Sequence, residues 1–133
     1  MRILIAEDDL VSRKFLFKFL SRYGECDLVV DGLEALDAFL LSIKEEKHYD
    51  LICLDIMMPK VDGVKVLKSI RDMENQKGIP VEQRSKVIMT TALAETNLVQ
   101  TAFEIGCDAY AAKPIDTDKL TEVIERFGLT LKS

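Results

Sequence analysis

The chain has no tryptophan, a single histidine and an odd number of cysteines. Cys26, Cys53 and Cys107 lack the paired spacing of a metal site and sit in or beside apolar runs, so they read as reduced, mostly core thiols, and no disulfide is expected. His48 follows Glu45-Glu46-Lys47, a surface setting rather than that of a catalytic base. Six glycines and three prolines are too few for a disordered chain. Basic charge is short as well: 18 lysines and arginines face 23 acids, a net charge of -5, which offers no footprint for nucleic acid. No apolar run approaches a membrane span or the core of a signal peptide, so a soluble, cytoplasmic protein with no membrane contact is expected. What is present is apolar content: 133 residues, 48% hydrophobic, suit one globular domain.

Short apolar runs alternate with amphipathic patterns, which signals βαβ units and an α/β fold. Strands are expected near 2–6, 26–30, 51–54, 86–90 and 109–112. The first helix carries Val11, Phe15, Phe19 and Leu20 on one face, the second Leu33, Leu36, Leu40 and Ile43, and the fifth Leu120, Val123, Ile124 and Phe127, ended by Gly128. These faces are expected to cover the sheet. Two further helices fit 64–75 and 97–105. Right-handed crossovers with helices on both faces give a doubly wound, five-stranded parallel sheet with five helices. Residues 74–85, containing Lys77-Gly78-Ile79-Pro80, are longer than a usual helix-to-strand loop and read as a surface insertion. One unit spanning 1–128 and a short tail, 129–133, result. The chain stops about five residues past the last helix pattern, so no second domain is expected within it, whether it stands alone or was cut from a longer protein.

The informative residues lie where the strands end. Leu51-Ile52-Cys53-Leu54 runs into Asp55, with Met57-Met58-Pro59 behind it; Ile3 to Ala6 runs into Glu7-Asp8-Asp9; Val87 to Thr90 into Thr91-Ala92; Ala109 to Ala112 into Lys113-Pro114. In an open parallel sheet the ligand crevice lies outside the carboxyl ends of the strands, so these groups converge. Clustered carboxylates repel one another and an incoming phosphate alike, so Glu7, Asp8 and Asp55 make sense together around a divalent cation, and oxygen ligands favour Mg2+. Lys113 then offers a point charge to a phosphate oxygen and Thr91 a hydroxyl. Asp55, ionised at neutral pH by its ordinary pKa, needs no general base to attack phosphorus.

Glu7-Asp8, Asp55-x-x-Met58-Pro59-x-x-Asp62-Gly63, Thr91-Ala92 and Lys113-Pro114, with Asp31-Gly32-x-Glu34-Ala35-Leu36 between them, resemble the receiver domain of two-component response regulators over about residues 1–128. The resemblance implies the flavodoxin-like strand order 2-1-3-4-5. It implies that Asp55 is the phosphoacceptor, that Asp8 binds Mg2+ directly, Glu7 through water and Met57 by its main-chain carbonyl. It further makes Thr91 the switch hydroxyl, Lys113 the phosphate-binding lysine, Tyr110 the aromatic switch and Lys113-Pro114 a cis peptide. Met57 and Leu93, both apolar, match the positions flanking the path of the attacking water, which implies slow loss of the phosphoryl group; lining a surface read by the target is an equally good reading of the pair. The implied partners are a histidine kinase or histidine phosphotransfer protein as donor and a protein target on the surface of the fourth helix, fifth strand and fifth helix. The resemblance leaves open a phosphorylation-dependent dimer as the output.

Plainer readings compete at several positions. Asp9 reads as a solvated helix N-terminal residue, because Glu7-Asp8 already fill the acidic pair. Asp62-Gly63 reads chiefly as a turn before the third helix, with Gly63 there for its backbone conformation. Tyr110 stands evenly between core aromatic and moving switch. Two other functions fit less well. A phosphohydrolase of the haloacid dehalogenase type needs a second Asp two residues after the first, where this chain has Met57. A flavin or nucleotide site needs a glycine cradle that Glu7-Asp8-Asp9-Leu10-Val11-Ser12 does not supply. A degenerate receiver used only for docking would have lost a site residue, and all are present.

Overall fold

The computed structural model describes residues 1–92 and 96–132. Strands β1 (Arg2–Ala6), β2 (Glu25–Val29), β3 (Leu51–Asp55), β4 (Lys86–Thr91) and β5 (Ala109–Ala112) alternate with helices α1 (Leu10–Leu20), α2 (Gly32–Lys44), α3 (Gly63–Gln76), α4 (Thr96–Ile105) and α5 (Thr117–Arg126). Every pairing is parallel and the order is β2-β1-β3-β4-β5. The strand bounds fall within one residue of those the apolar runs predict. No helix among the described residues is long and apolar enough to cross a membrane.

Parallel strands buried on both faces read as unbroken apolar runs, and β3 is buried along its whole length. Alternation divides the side chains between two layers. Leu4, Ala6, Ile52, Leu54, Val87 and Met89 pack under α2, α3 and α4. Ile3, Ile5, Leu51, Cys53, Ile88 and Ala109 pack under α1 and α5. An aspartate caps each of four helices: Asp9, Asp31, Asp62 and Asp116 accept main-chain N–H bonds from the first turns of α1, α2, α3 and α5. Asp9 is therefore the helix N-terminal residue expected of it. The cysteines are free, Cys53 and Cys107 buried and Cys26 half-buried.

Two helix faces differ from expectation. In α1 the side facing the sheet is Leu16, Phe19 and Leu20, while Val11 and Phe15 are exposed. In α2 it is Gly32, Ala35, Phe39 and Ser42; Leu33 and Leu40 are exposed, and Leu36 and Ile43 only flank the core. Three of these four positions are small and the fourth, Phe39, fills the core; at Gly32 the small size is required, because a Cβ there would stand 1.8 Å from the Val61 carbonyl oxygen in the turn before α3. The α5 face is as expected, Leu120 and Ile124 buried with Val123 and Phe127 beside them.

The 74–85 segment is a surface insertion with a short 3-10 turn, Val81–Gln83, but it is firmly tied. Glu74 is buried and accepts Arg71 Nη1 at 2.6 Å and Ser85 N at 2.9 Å. Arg71 also donates to the Ser85 and Gly106 carbonyls and to Asp108. At the C-terminal end, Leu129 packs on the α1/α5 layer and Lys132 N donates to the Arg22 carbonyl.

Gly63 has a reason other than the one expected. Its φ is not positive; a Cβ there would lie 2.1 Å from the Asp55 carbonyl oxygen and 2.9 Å from Ile56 Cα. The tight approach lets Gly63 N donate to the Ile56 carbonyl at 2.8 Å and folds the β3–α3 turn against the strand tip. Gly63→Ala is predicted to cost about 2–4 kcal/mol in urea unfolding, as overpacking against backbone. Gly78→Ala, at φ +64 with open space around it, should cost only about 1 kcal/mol.

Candidate functional site at the strand tips

Four of the five strands, β1, β3, β4 and β5, each deliver one group to the same edge. Glu7 follows β1 directly, and its N–H donates to the Val29 carbonyl, extending the ladder by one residue. Asp55 is the last residue of β3. Lys113 follows β5, its N–H donating to the Thr91 carbonyl at 2.8 Å, and the Lys113-Pro114 peptide is cis, as expected.

The side chains meet. Lys113 Nζ is ion-paired with Glu7 Oε1 and donates to Asp55 Oδ2 at 3.2 Å. Met57 N donates to Asp55 Oδ1 at 3.2 Å, and Asp9 N to Glu7 Oε2 at 3.1 Å. Arg13 is turned to the main chain, donating to the Glu7 and Asp8 carbonyls. Glu7 and Asp55 are buried, at 0% and 3% exposure, while Asp8 is open to solvent. One carboxylate oxygen from each of Glu7, Asp8 and Asp55 lies within 4.8 Å of the others. Three hard anionic oxygens, one on the solvent side, fit a divalent cation that keeps several waters. Of the site residues read from the sequence, Glu7, Asp8, Asp55 and Lys113 are thus brought together.

The charges do not balance, since one ammonium faces two buried carboxylates and Asp8. Burial, a hydrogen bond with Glu7 and the Glu7 charge push the Asp55 carboxyl up to about 7, against the opposing pull of Lys113. Asp55 is therefore not fully ionised at neutral pH without a cation, contrary to the sequence expectation. Burial also acts against Glu7, but hydrogen bonds with Asp55 and Lys113 outweigh it and hold Glu7 below its usual range. Burial opposes the Lys113 charge too, and its carboxylate partners more than compensate.

Thr91 is buried at the end of β4. Tyr110 is no core residue: it is 47% exposed and meets the Phe103 ring of α4 edge-on, centroids 6.2 Å apart. The sequence reading missed Phe103, whose only signal was an aromatic on the polar side of a short helix. Met57 is exposed at the mouth of the site. Leu93 lies outside the described residues. Asp62 stays out of the acid cluster, capping α3 through Lys65 N. A cavity of about 730 Å³ lies at the opposite end of the sheet, bounded by Phe39, Ser85 and Lys86, remote from these groups.

Comparison with known proteins agrees with this geometry. A family model described as the response regulator receiver domain matches residues 3–125. The chain is 33% identical over 126 residues to the polar-differentiation response regulator DivK of Brucella ovis, covering 94% of each chain. It is 33% identical over 131 residues to hybrid signal transduction histidine kinase G of Dictyostelium discoideum, covering 96% of this chain and 4% of that protein. The chain spans only 4% to 12% of the length of the histidine kinases it matches. Among solved structures, a chain in the co-crystal of the Saccharomyces cerevisiae histidine phosphotransfer protein Ypd1 with the receiver domain of Ssk1 superposes with a TM-score of 0.80. The identity is 28%, over 96% of this chain and 88% of that one.

The imbalance at Asp55 predicts a pH dependence. Its folded pKa is raised above the ordinary 3.8, so its contribution to stability is complete below about pH 4 and is lost as pH rises through about 7. In metal-free protein, Asp55→Asn should therefore raise the unfolding free energy at pH 8, by up to about 4 kcal/mol, with the gain vanishing by about pH 4. Urea unfolding at both pH values checks this. Mg2+ should narrow the difference at pH 8 by stabilising the wild type alone.

Proposed function

Because the chain belongs to the response regulator receiver domain family and is a phosphotransfer receiver of two-component signalling, we propose that Asp55 is the carboxylate that takes the phosphoryl group. The observation that supports this reading is a buried aspartate at the tip of the central strand, 3.2 Å from Lys113 Nζ and clustered with Glu7 and Asp8. The donor is the phosphohistidine of a histidine kinase or histidine phosphotransfer protein. An Asp55 oxygen bonds to phosphorus as the phosphorus–nitrogen bond breaks, and the histidine leaves with the electron pair. Glu7, Asp8, Asp55 and the Met57 carbonyl are the groups we assign to Mg2+, which supplies charge neutralisation for the transferring phosphoryl group.

The chain's own residues do the rest. Asp55, once relieved of the Glu7 charge, is ionised and nucleophilic at neutral pH. Lys113 is already at the phosphoacceptor and needs only to follow a new oxygen. Thr91 is the hydroxyl drawn toward the modified Asp55, and Tyr110 the ring that turns as the space beside Thr91 changes. The surface so altered is that of α4, β5 and α5, where a target protein or a second copy of the chain binds. The protein is a switch that catalyses its own modification and its slow reversal, rather than an enzyme acting on a pool of substrate. We place it in the cytoplasm, with residues 1–128 as the receiver unit.

Incubation with acetyl phosphate and Mg2+ is expected to add one base-labile phosphoryl group, read by intact-mass spectrometry. No adduct should form with Asp55→Asn or with chelator present, and labelling that persisted in Asp55→Asn would sink the assignment. A second expectation concerns lifetime. Hydrolysis needs a water in line with the Asp55 oxygen, and the exposed Met57 side chain at the mouth offers that water no hydrogen bond. Met57→Asn should shorten the lifetime of the phosphorylated form several-fold in a decay assay, about 3- to 10-fold if one water position is gained.

A further inference from the structure

β4 places Thr90 directly opposite Asp55 in register. Thr90 is 1% exposed, and its Oγ1 has no hydrogen-bond partner. By alternation Thr90 follows Ile88 into the α1/α5 layer, as Asp55 follows Leu51 and Cys53, so the two share one face of the sheet. The strand order fixes what passes over it. Lys113 starts from β5, and its ammonium ends against Asp55 at the tip of β3 and Glu7 at the tip of β1; β4 lies between. The lysine stem therefore crosses β4 on the face that carries Thr90.

A buried hydroxyl with no partner costs stability, and a valine would fill the same volume without that cost. Hydrogen-bond accounting points to a state in which the hydroxyl is satisfied. The Lys113 ammonium has three N–H donors, now engaged with Glu7 and Asp55. A cation among Glu7, Asp8 and Asp55 takes those carboxylates for itself, and a phosphoryl oxygen replaces only part of what Lys113 loses. Of the two buried oxygens among the described residues without a hydrogen bond, Glu7 Oε1 is ion-paired with Lys113, which leaves Thr90 Oγ1 as the acceptor in waiting.

We propose that Thr90 is a positioning residue for Lys113: in the loaded site its hydroxyl accepts an N–H of the ammonium and holds the lysine over the phosphoryl group. This rests on Asp55 as the phosphoacceptor. The test compares wild type, Thr90→Val and Thr90→Ser, titrated calorimetrically with beryllofluoride as the phosphoryl mimic in excess Mg2+, alongside melting temperatures of the metal-free proteins. Thr90→Val should melt at or above the wild-type temperature yet bind the mimic about 5- to 20-fold more weakly. Thr90→Ser should stay within about twofold of wild type. The ¹⁵N signal of the Lys113 ammonium gives a readout that simple packing does not move: it should differ between wild type and Thr90→Val only when the mimic is bound. Equal binding by wild type and Thr90→Val, an unchanged lysine signal, or Thr90→Ser as weak as Thr90→Val overturns the assignment of Thr90. A wild type that fails to bind the mimic overturns the phosphoacceptor reading itself, and Thr90 with it.

Discussion

A single ammonium held between two buried carboxylates organises this protein. Lys113 reaches from β5, the edge strand, across β4 to Asp55 on β3 and Glu7 on β1, so one side chain ties together the tips of four neighbouring strands. The contact is stable only because every strand is parallel and ends at the same edge. It is also incomplete, because one positive charge cannot neutralise Glu7, Asp55 and Asp8. Burial and the surplus push the Asp55 carboxyl up to about 7, and the surplus makes the edge repel anions until a cation joins it. In the proposed reading the same imbalance would couple cation and phosphoryl group, each lowering the cost of the other.

The sheet separates chemistry from output. Asp55, Thr90 and Lys113 belong to the α1/α5 face by alternation, while Thr91, Tyr110 and Phe103 belong to the face of α4. Thr90 and Thr91 are successive residues on one strand that face opposite layers, so under the proposed roles the end of β4 is where the two faces would be coupled. Tyr110 lies edge-on against Phe103, a contact worth about 0.5–1.5 kcal/mol, so the outward ring is held only lightly. A modification that alters the space beside Thr91 has little to overcome before the ring populates a second packing.

Much of this was legible from the order of residues, for particular reasons. β3 is buried on both faces, so it appears as an apolar run, and an acid closing such a run can only stand at its tip. Lys113 was legible because Pro114 marks the end of β5 beside it. The helix faces were less so. Leu33, Leu36, Leu40 and Ile43 form an apolar stripe of α2, yet the buried side is Gly32, Ala35, Phe39 and Ser42: apolar residues run most of the way round this helix, and the close approach of Gly32 to the Val61 carbonyl helps fix which side faces inward. Gly63 and Thr90 escaped for a related reason. One is fixed by a backbone oxygen 2.1 Å from where its Cβ would stand, the other by which residue of β4 faces Asp55. Thr90 depends on register between separate strands, which no local pattern records, and Gly63 on how tightly the turn after Asp55 folds back on the strand tip.

The two ends of the sheet follow opposite electrostatic rules. At the tips, charge is left unbalanced. At the far end, Arg71 is spent completely: it donates to Glu74, to the Ser85 and Gly106 carbonyls and to Asp108, whose carboxylate in turn accepts Val87 N at 2.8 Å. That hub binds the end of α3, the inserted segment, the start of β4, the turn after α4 and the approach to β5 into one rigid block. The Gly106 contact ties the residue after the C-terminal end of α4 to this hub. If the proposed switch at Thr91 operates, a helix tied at its C-terminal end would pivot rather than slide, its N-terminal turns moving farthest. An insertion that looks peripheral in the sequence is therefore bonded into the frame that carries α3, β4 and the end of α4, the frame against which the proposed switch would work.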